Sequence, residues 1–80
     1  MKQAGMDVVR YGRLLYEKGL TNGTGGNISA RVGDMMVITP SGSCKGMLDQ
    51  NELVTVDIVS GKAVSGRPSM ETPFHLTVYR

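Results

Sequence analysis

The sequence has no tryptophan, one histidine (His75) and one cysteine (Cys44). A single thiol excludes an internal disulfide framework and fits a reducing compartment. Aromatics are few: Tyr11, Tyr16, Tyr79 and Phe74 are the side chains able to stack on bases. The net charge is +2, with positive and negative residues interspersed and no run longer than a pair. Neither a basic stripe nor a stacking platform is present, which argues against a nucleic-acid partner. No segment approaches the ~18 apolar residues of a membrane span, so no membrane partner is expected. The N-terminus lacks a signal-peptide core. The expected compartment is the cytoplasm, and two glycosylation-like triplets, Asn22-Gly23-Thr24 and Asn27-Ile28-Ser29, are then read as coincidence.

What the sequence has in excess is glycine, 11 residues in 80, about twice the usual ~7%. The glycines cluster, so turns are where this chain is unusual. Otherwise the composition, 40% hydrophobic and 20% charged, is that of an ordinary globular protein. A chain of this length buries only ~60% of the surface that it exposes when unfolded. It therefore either folds alone with little to spare or belongs to something larger.

Residues 2–18 read as an amphipathic helix. Ala4, Val8, Tyr11 and Leu15 recur at offsets of three and four, Val9, Gly12 and Tyr16 widen that face, and charged residues fill the other. Gly19 follows as a left-handed cap. Ile28, Ala30 and Val32 alternate with polar neighbours and predict a strand. Gly33-Asp34 predicts a turn and Met35–Thr39 a second strand, forming a hairpin. Pro40–Gly46 is a loop, and Leu48–Leu53 reads as a single helical turn capped by Asp49. Leu53–Val59, a turn at Ser60-Gly61-Lys62 and a return over Ala63–Ser65 predict a second hairpin. From Ser69 a last helix begins, with Met70, Phe74, Thr77 and Val78 sharing a face and Pro73 tolerated near the first turn. That helix meets no stop signal, and the hairpin edges need covering. The expectation is that 1–80 is part of a larger domain.

Three Gly- and hydroxyl-rich turns carry the candidate chemistry. In Thr21–Ser29, glycines allow close backbone approach and consecutive N–H groups can converge on an anion, with Thr24, Asn27 and Ser29 adding side-chain donors. It is neither a dinucleotide fingerprint nor a P-loop, because the required third glycine and the Gly-Lys-Ser/Thr are missing. Its plain alternative is a flexible connection. Thr39–Gly46 follows a buried-looking strand, where ligand-contacting loops gather, yet Pro-Ser-Gly makes a turn without any ligand. Gly66–Glu71 puts Ser69 at a helix N-terminus, which favours phosphate or carboxylate; alternatively Ser69 is an N-cap and Glu71 complements the dipole. Cys44, beside Lys45, reads as an incidental small residue rather than a reactive thiol.

The order and spacing of Gly-Leu-Thr-Asn-Gly-Thr-Gly-Gly-Asn-Ile-Ser, Ile-Thr-Pro-Ser-Gly and Arg-Pro-Ser-Met-Glu-Thr-Pro-Phe-His resemble the N-terminal part of the class II aldolase/adducin family. This family includes sugar-phosphate aldolases and 4-epimerases. The resemblance implies an α/β (α+β, three-layer) fold, a central mainly antiparallel sheet with helices on both faces, of which residues 1–80 would be the N-terminal portion. It implies sites at the subunit interfaces of a homotetramer. Carried over by position, Thr24, Gly26, Asn27, Thr39, Gly42 and Ser69 would hold the phosphate of a sugar substrate. Glu71 would move a proton at the carbon next to the carbonyl, and a divalent metal, usually zinc, would polarise that carbonyl.

Two departures from the family pattern stand out. Ser69-Met70-Glu71 replaces the Ser-Ser-Glu of many relatives, removing one hydroxyl donor. The metal histidines of the family are a His-x-His pair beyond this helix and a later one. His75 matches a helical position instead and reads as a packed or hydrogen-bonded residue. Catalytic zinc sites normally use three protein ligands, so the chain alone is expected neither to hold zinc tightly nor to be active. Rivals to the enzyme are a non-catalytic scaffold like the adducin head, where the fold survives without chemistry, and a small free-standing domain that binds anionic metabolites.

Overall fold

The computed structural model describes residues 2–19, 27–40, 47–64 and 66–80. The predicted sites Thr24, Gly26 and Gly42, with Cys44, lie outside the described residues.

Helix α1 spans Lys2–Glu17, strands β1, β2 and β3 span Ser29–Val32, Met35–Ile38 and Val54–Asp57, and helix α2 spans Thr72–Tyr79. The strands form one antiparallel sheet in the order β1-β2-β3. Register is set by hydrophobic pairing: Met36 lies opposite Val56 and Ile38 opposite Val54, while Val37 lies opposite Ala30 and Thr55. Because side chains alternate across a strand, Met36, Ile38, Val54 and Val56 share one face, and Ser29 and Arg31 join them there. Ala30, Val37 and Thr55 occupy the other. Leu76 of α2 packs into the first set with Ile58, and α1 lies against the second. The arrangement is therefore helix, sheet, helix, as the three-layer fold class requires. Buried on both faces, β2 reads as a continuous apolar run.

Asp49 caps the predicted single turn as expected. Its carboxylate accepts from the Asn51 N–H at 2.8 Å, and Glu52 reaches back to the Asp49 N–H, a capping box on a 3₁₀ turn over Gln50–Glu52.

Three expectations are corrected. The buried stripe of α1 is Ala4, Gly5, Val8 and Gly12, whereas Tyr11 and Tyr16 are about half exposed and Leu15 is 36% exposed. A 16-residue helix is about 24 Å long, while four-residue strands reach only about 13 Å, so the last turns of α1 run past the sheet. The second hairpin shrinks to one bridge, Val56 to Ala63, with the Val64 N–H donating to Thr55 at 2.7 Å. The main partner of β3 is β2, and the return instead diverts through Gly66 (φ +75°) to a bridge between Pro68 and Pro40. Finally, α2 begins at Thr72 and turns Thr72 and Leu76 inward, leaving Met70, Phe74 and Val78 exposed. The apolar face carrying Met70, Phe74 and Val78 is thus the outer one. Turning it inward would strip the Ser29 hydroxyl of its partners on α2.

Candidate functional site

The site is organised around Thr39, the residue that follows β2 and is fully buried. Its N–H donates to the Ile28 carbonyl at 3.0 Å, and its hydroxyl oxygen accepts from the Ile28 N–H at 3.2 Å. Its carbonyl accepts from the Ser69 N–H at 2.9 Å. With the Pro40–Pro68 bridge beside it, Thr39 ties together the end of the first turn, the start of the second and the third. Segments as far apart in sequence as Ile28 and Ser69 thus meet at one end of the sheet. A threonine suits the position because its backbone bonds Ile28 and Ser69 while its hydroxyl oxygen satisfies the Ile28 N–H.

Ser69 lies two residues before the helix N-cap, not at it as expected. The N-cap is Glu71, whose carboxylate makes no capping bond. Ser69 acts one step upstream: its hydroxyl accepts from the Glu71 N–H at 3.2 Å, and its carbonyl accepts from the Thr72 N–H and hydroxyl at 3.0 and 2.6 Å. This local turn leaves the Glu71 side chain exposed at the start of α2, next to the Thr39 clasp.

One turn on, His75 uses both ring nitrogens. Nε2 is hydrogen-bonded to Asn27 Oδ1, and Nδ1 lies 2.7 Å from the Ser29 hydroxyl. That hydroxyl also lies 2.7 Å from the Tyr79 hydroxyl. Oδ1 is an acceptor only, so Nε2–H donates to it. In the neutral ring Nδ1 then accepts from Ser29, which accepts in turn from Tyr79. Arg31, on the same strand face, donates from Nη1 to the Tyr79 carbonyl at 2.7 Å. Partial burial lowers the imidazole pKa from its ordinary value of 6.5, and the nearby Glu71 carboxylate partly opposes that.

A family model describing the class II aldolase and adducin N-terminal domain matches residues 6–80. The chain belongs to the class II aldolase and adducin family. It is 36% identical over 92% of its length to an L-fuculose phosphate aldolase of Methanococcus vannielii, covering 40% of that protein. It is 38% identical over 99% of its length to a 3-oxo-tetronate 4-phosphate decarboxylase of Pectobacterium atrosepticum, covering 37% of it. A solved L-fuculose 1-phosphate aldolase superposes with a TM-score of 0.89 at 36% identity, over 99% of this chain and 39% of the other. The chain thus spans about two-fifths of the length of the relatives it matches.

Class II aldolases generally use a divalent metal. Among the described residues no group of three or more His, Cys, Asp or Glu side chains converges. The ring nitrogens of His75 are engaged by Asn27 and Ser29, so the imidazole does not fit as a ligand.

Of the predicted site residues within the described segments, Asn27, Thr39, Ser69 and Glu71 come together at the same end of the sheet. Sequence reading missed Tyr79 and gave His75 no specific partner. The signal for both was their i, i+4 spacing, which stacks them on one face of α2.

Proposed function

We propose that the protein carrying this chain is a lyase acting on a phosphorylated sugar, cleaving the carbon–carbon bond of a ketose phosphate by a retro-aldol step. The observation that carries this reading is the Thr39 clasp. It holds Asn27 and Ser69, donors suited to a phosphate, beside the exposed Glu71 carboxylate. Asn27 offers its amide N–H, Ser69 its hydroxyl, and Thr39 retains an O–H to donate while its oxygen accepts from Ile28. Thr24, Gly26 and Gly42 join them in the proposal from the matching motifs. Cleavage leaves an enediolate whose carbon must take up a proton, and Glu71 moves that proton. The resident metal of the whole protein, a divalent ion such as zinc, would draw on ligands outside the described residues. A homotetramer is part of the same reading.

Decarboxylation is a second reading, supported by the 38% identity to the 3-oxo-tetronate 4-phosphate enzyme. Loss of carbon dioxide from a 3-oxo acid also leaves an enolate that must be protonated, so Glu71 keeps its role. Assays of the full-length protein with L-fuculose 1-phosphate and with a phosphorylated 3-oxo acid separate the two. In either, Glu71→Gln lowers kcat by about 10²–10⁴ with an unchanged circular-dichroism spectrum. A loss of only a few-fold would remove Glu71 from the chemistry.

A further inference from the structure

Asn27 presents two opposite chemistries at the ends of one planar amide: a carbonyl that repels an anion, and an N–H₂ that binds one. Which end is free for a ligand depends on what holds the other. Here Oδ1 is held by Nε2 of His75, from a helix 48 residues away in sequence, and the N–H₂ is turned away from the ring. We propose that His75 is a positioning residue that sets the polarity of the Asn27 amide, so that the anion-binding turn offers N–H donors and not a carbonyl. The inference rests on the phosphate-binding role proposed above for Asn27.

The polarity depends on the tautomer of His75. If Nδ1 carried the proton, Nε2 would be an acceptor, and Asn27 would have to offer its N–H₂ to the ring and its carbonyl to the anion. Two hydroxyls favour the Nε2–H tautomer. Either oxygen of the Ser29–Tyr79 pair can donate, but the phenol is a better donor than an alcohol, and when it donates to Ser29 Oγ it strengthens the Ser29 O–H as a donor to Nδ1. The pleat supplies the rest: Ser29 faces α2 because it shares a face with Met36 and Ile38, and His75 and Tyr79 meet it because they lie one turn apart. The chain of bonds ends on an amide, which has no proton to pass on. It is a brace, not a proton wire.

Three measurements on the full-length protein test this. In ¹⁵N NMR, the His75 ring should show a protonated Nε2 and an unprotonated Nδ1 at neutral pH; the reverse assignment overturns the proposal. With inorganic phosphate as the probe, His75→Ala should raise Kd about tenfold. In turnover assays it should raise KM for the phosphorylated substrate while kcat changes by less than a few-fold. His75→Gln, which keeps an N–H donor, should recover part of the affinity, and Ser29→Ala, which spares the ring, should weaken phosphate binding by a smaller factor. Should His75→Ala fail to fold, the Gln and Ser29 variants carry the test, and wild-type phosphate affinity in Ser29→Ala with Nδ1 protonated would sink it. Asn27→Ala separates the two readings. If Asn27→Ala leaves phosphate affinity intact, the phosphate role of Asn27 fails. If Asn27→Ala weakens binding but His75→Ala does not, or if the two losses add in the double variant, the positioning role fails.

Discussion

The two faces of the sheet are built on different principles. On the α1 face the buried helix residues are small: Ala4, Gly5, Val8 and Gly12. One polar peg crosses there, with Gln50 lying over Gly5 and donating from Nε2 to the Lys2 carbonyl at 2.9 Å. On the α2 face an aliphatic cluster around Leu76 sits beside a run of directed bonds: His75 to Ser29 and Asn27, Tyr79 to Ser29, Arg31 to the Tyr79 carbonyl, and Arg80 to the Ile58 carbonyl. Proximity needs only small residues, whereas orientation needs hydrogen bonds. The face that carries the directed bonds is the one on which the proposed site lies, and the groove under α1, lined by Lys2, Gly5, Val37 and Gln50, lies on the other side of the sheet.

The difference can be broken by substitution. The largest stability effect is expected on the α2 face: Leu76→Ala leaves a cavity among five aliphatic side chains and should cost about 2–5 kcal/mol in denaturant unfolding. A cost below about 1 kcal/mol would mean that α2 is not anchored by that cluster.

A smaller effect is pH-dependent. Burial holds the folded pKa of His75 below its ordinary value of 6.5, so below that value the unfolded chain binds more protons than the folded one. The contribution is complete above pH 6.5 and is lost as pH falls through the lower folded value. Melting temperatures across pH 5–8 should show this decline in the wild type and a shallower one in His75→Gln. Parallel profiles would place the titrating group elsewhere.

The smallest effect belongs to the α1 face. A Cβ at Gly5 would come within 3.0–3.1 Å of Gln50 Nε2 and Cγ, atoms of a flexible side chain that can move aside. Helix propensity gained by Gly5→Ala, about 0.5–1 kcal/mol, offsets the lost peg, so the net change in unfolding free energy should stay within about 1 kcal/mol. If Gly5→Ala proved worse than Leu76→Ala, the contrast between the faces would be reversed.

Much of this was legible before any coordinates. The period of α1, the Gly33-Asp34 hairpin and the Asp49 cap follow from residue types at fixed spacings, whereas the candidates Asn27, Thr39, Ser69 and Glu71 are carried over by position from the family resemblance. The misreadings came where hydrophobicity was ranked without knowing what lay opposite. Phe74 and Val78 are the more apolar side of α2, yet Leu76 with His75 and Tyr79 turn inward. Tyr11, Leu15 and Tyr16 extend an apolar stripe whose far half the short strands do not reach.

Local chemistry thus determined which segments are helix, strand and turn, because propensity, capping and alternation act within a few residues. It also marked the hydroxyls, amide and carboxylate to which anion binding and proton transfer are assigned in the proposal above. Tertiary structure alone decided that Thr39 would tie three distant turns together. It also decided that His75 would hold Asn27 rather than await a metal, since a hydrogen bond across 48 residues exists only once the pleat has turned Ser29 toward α2.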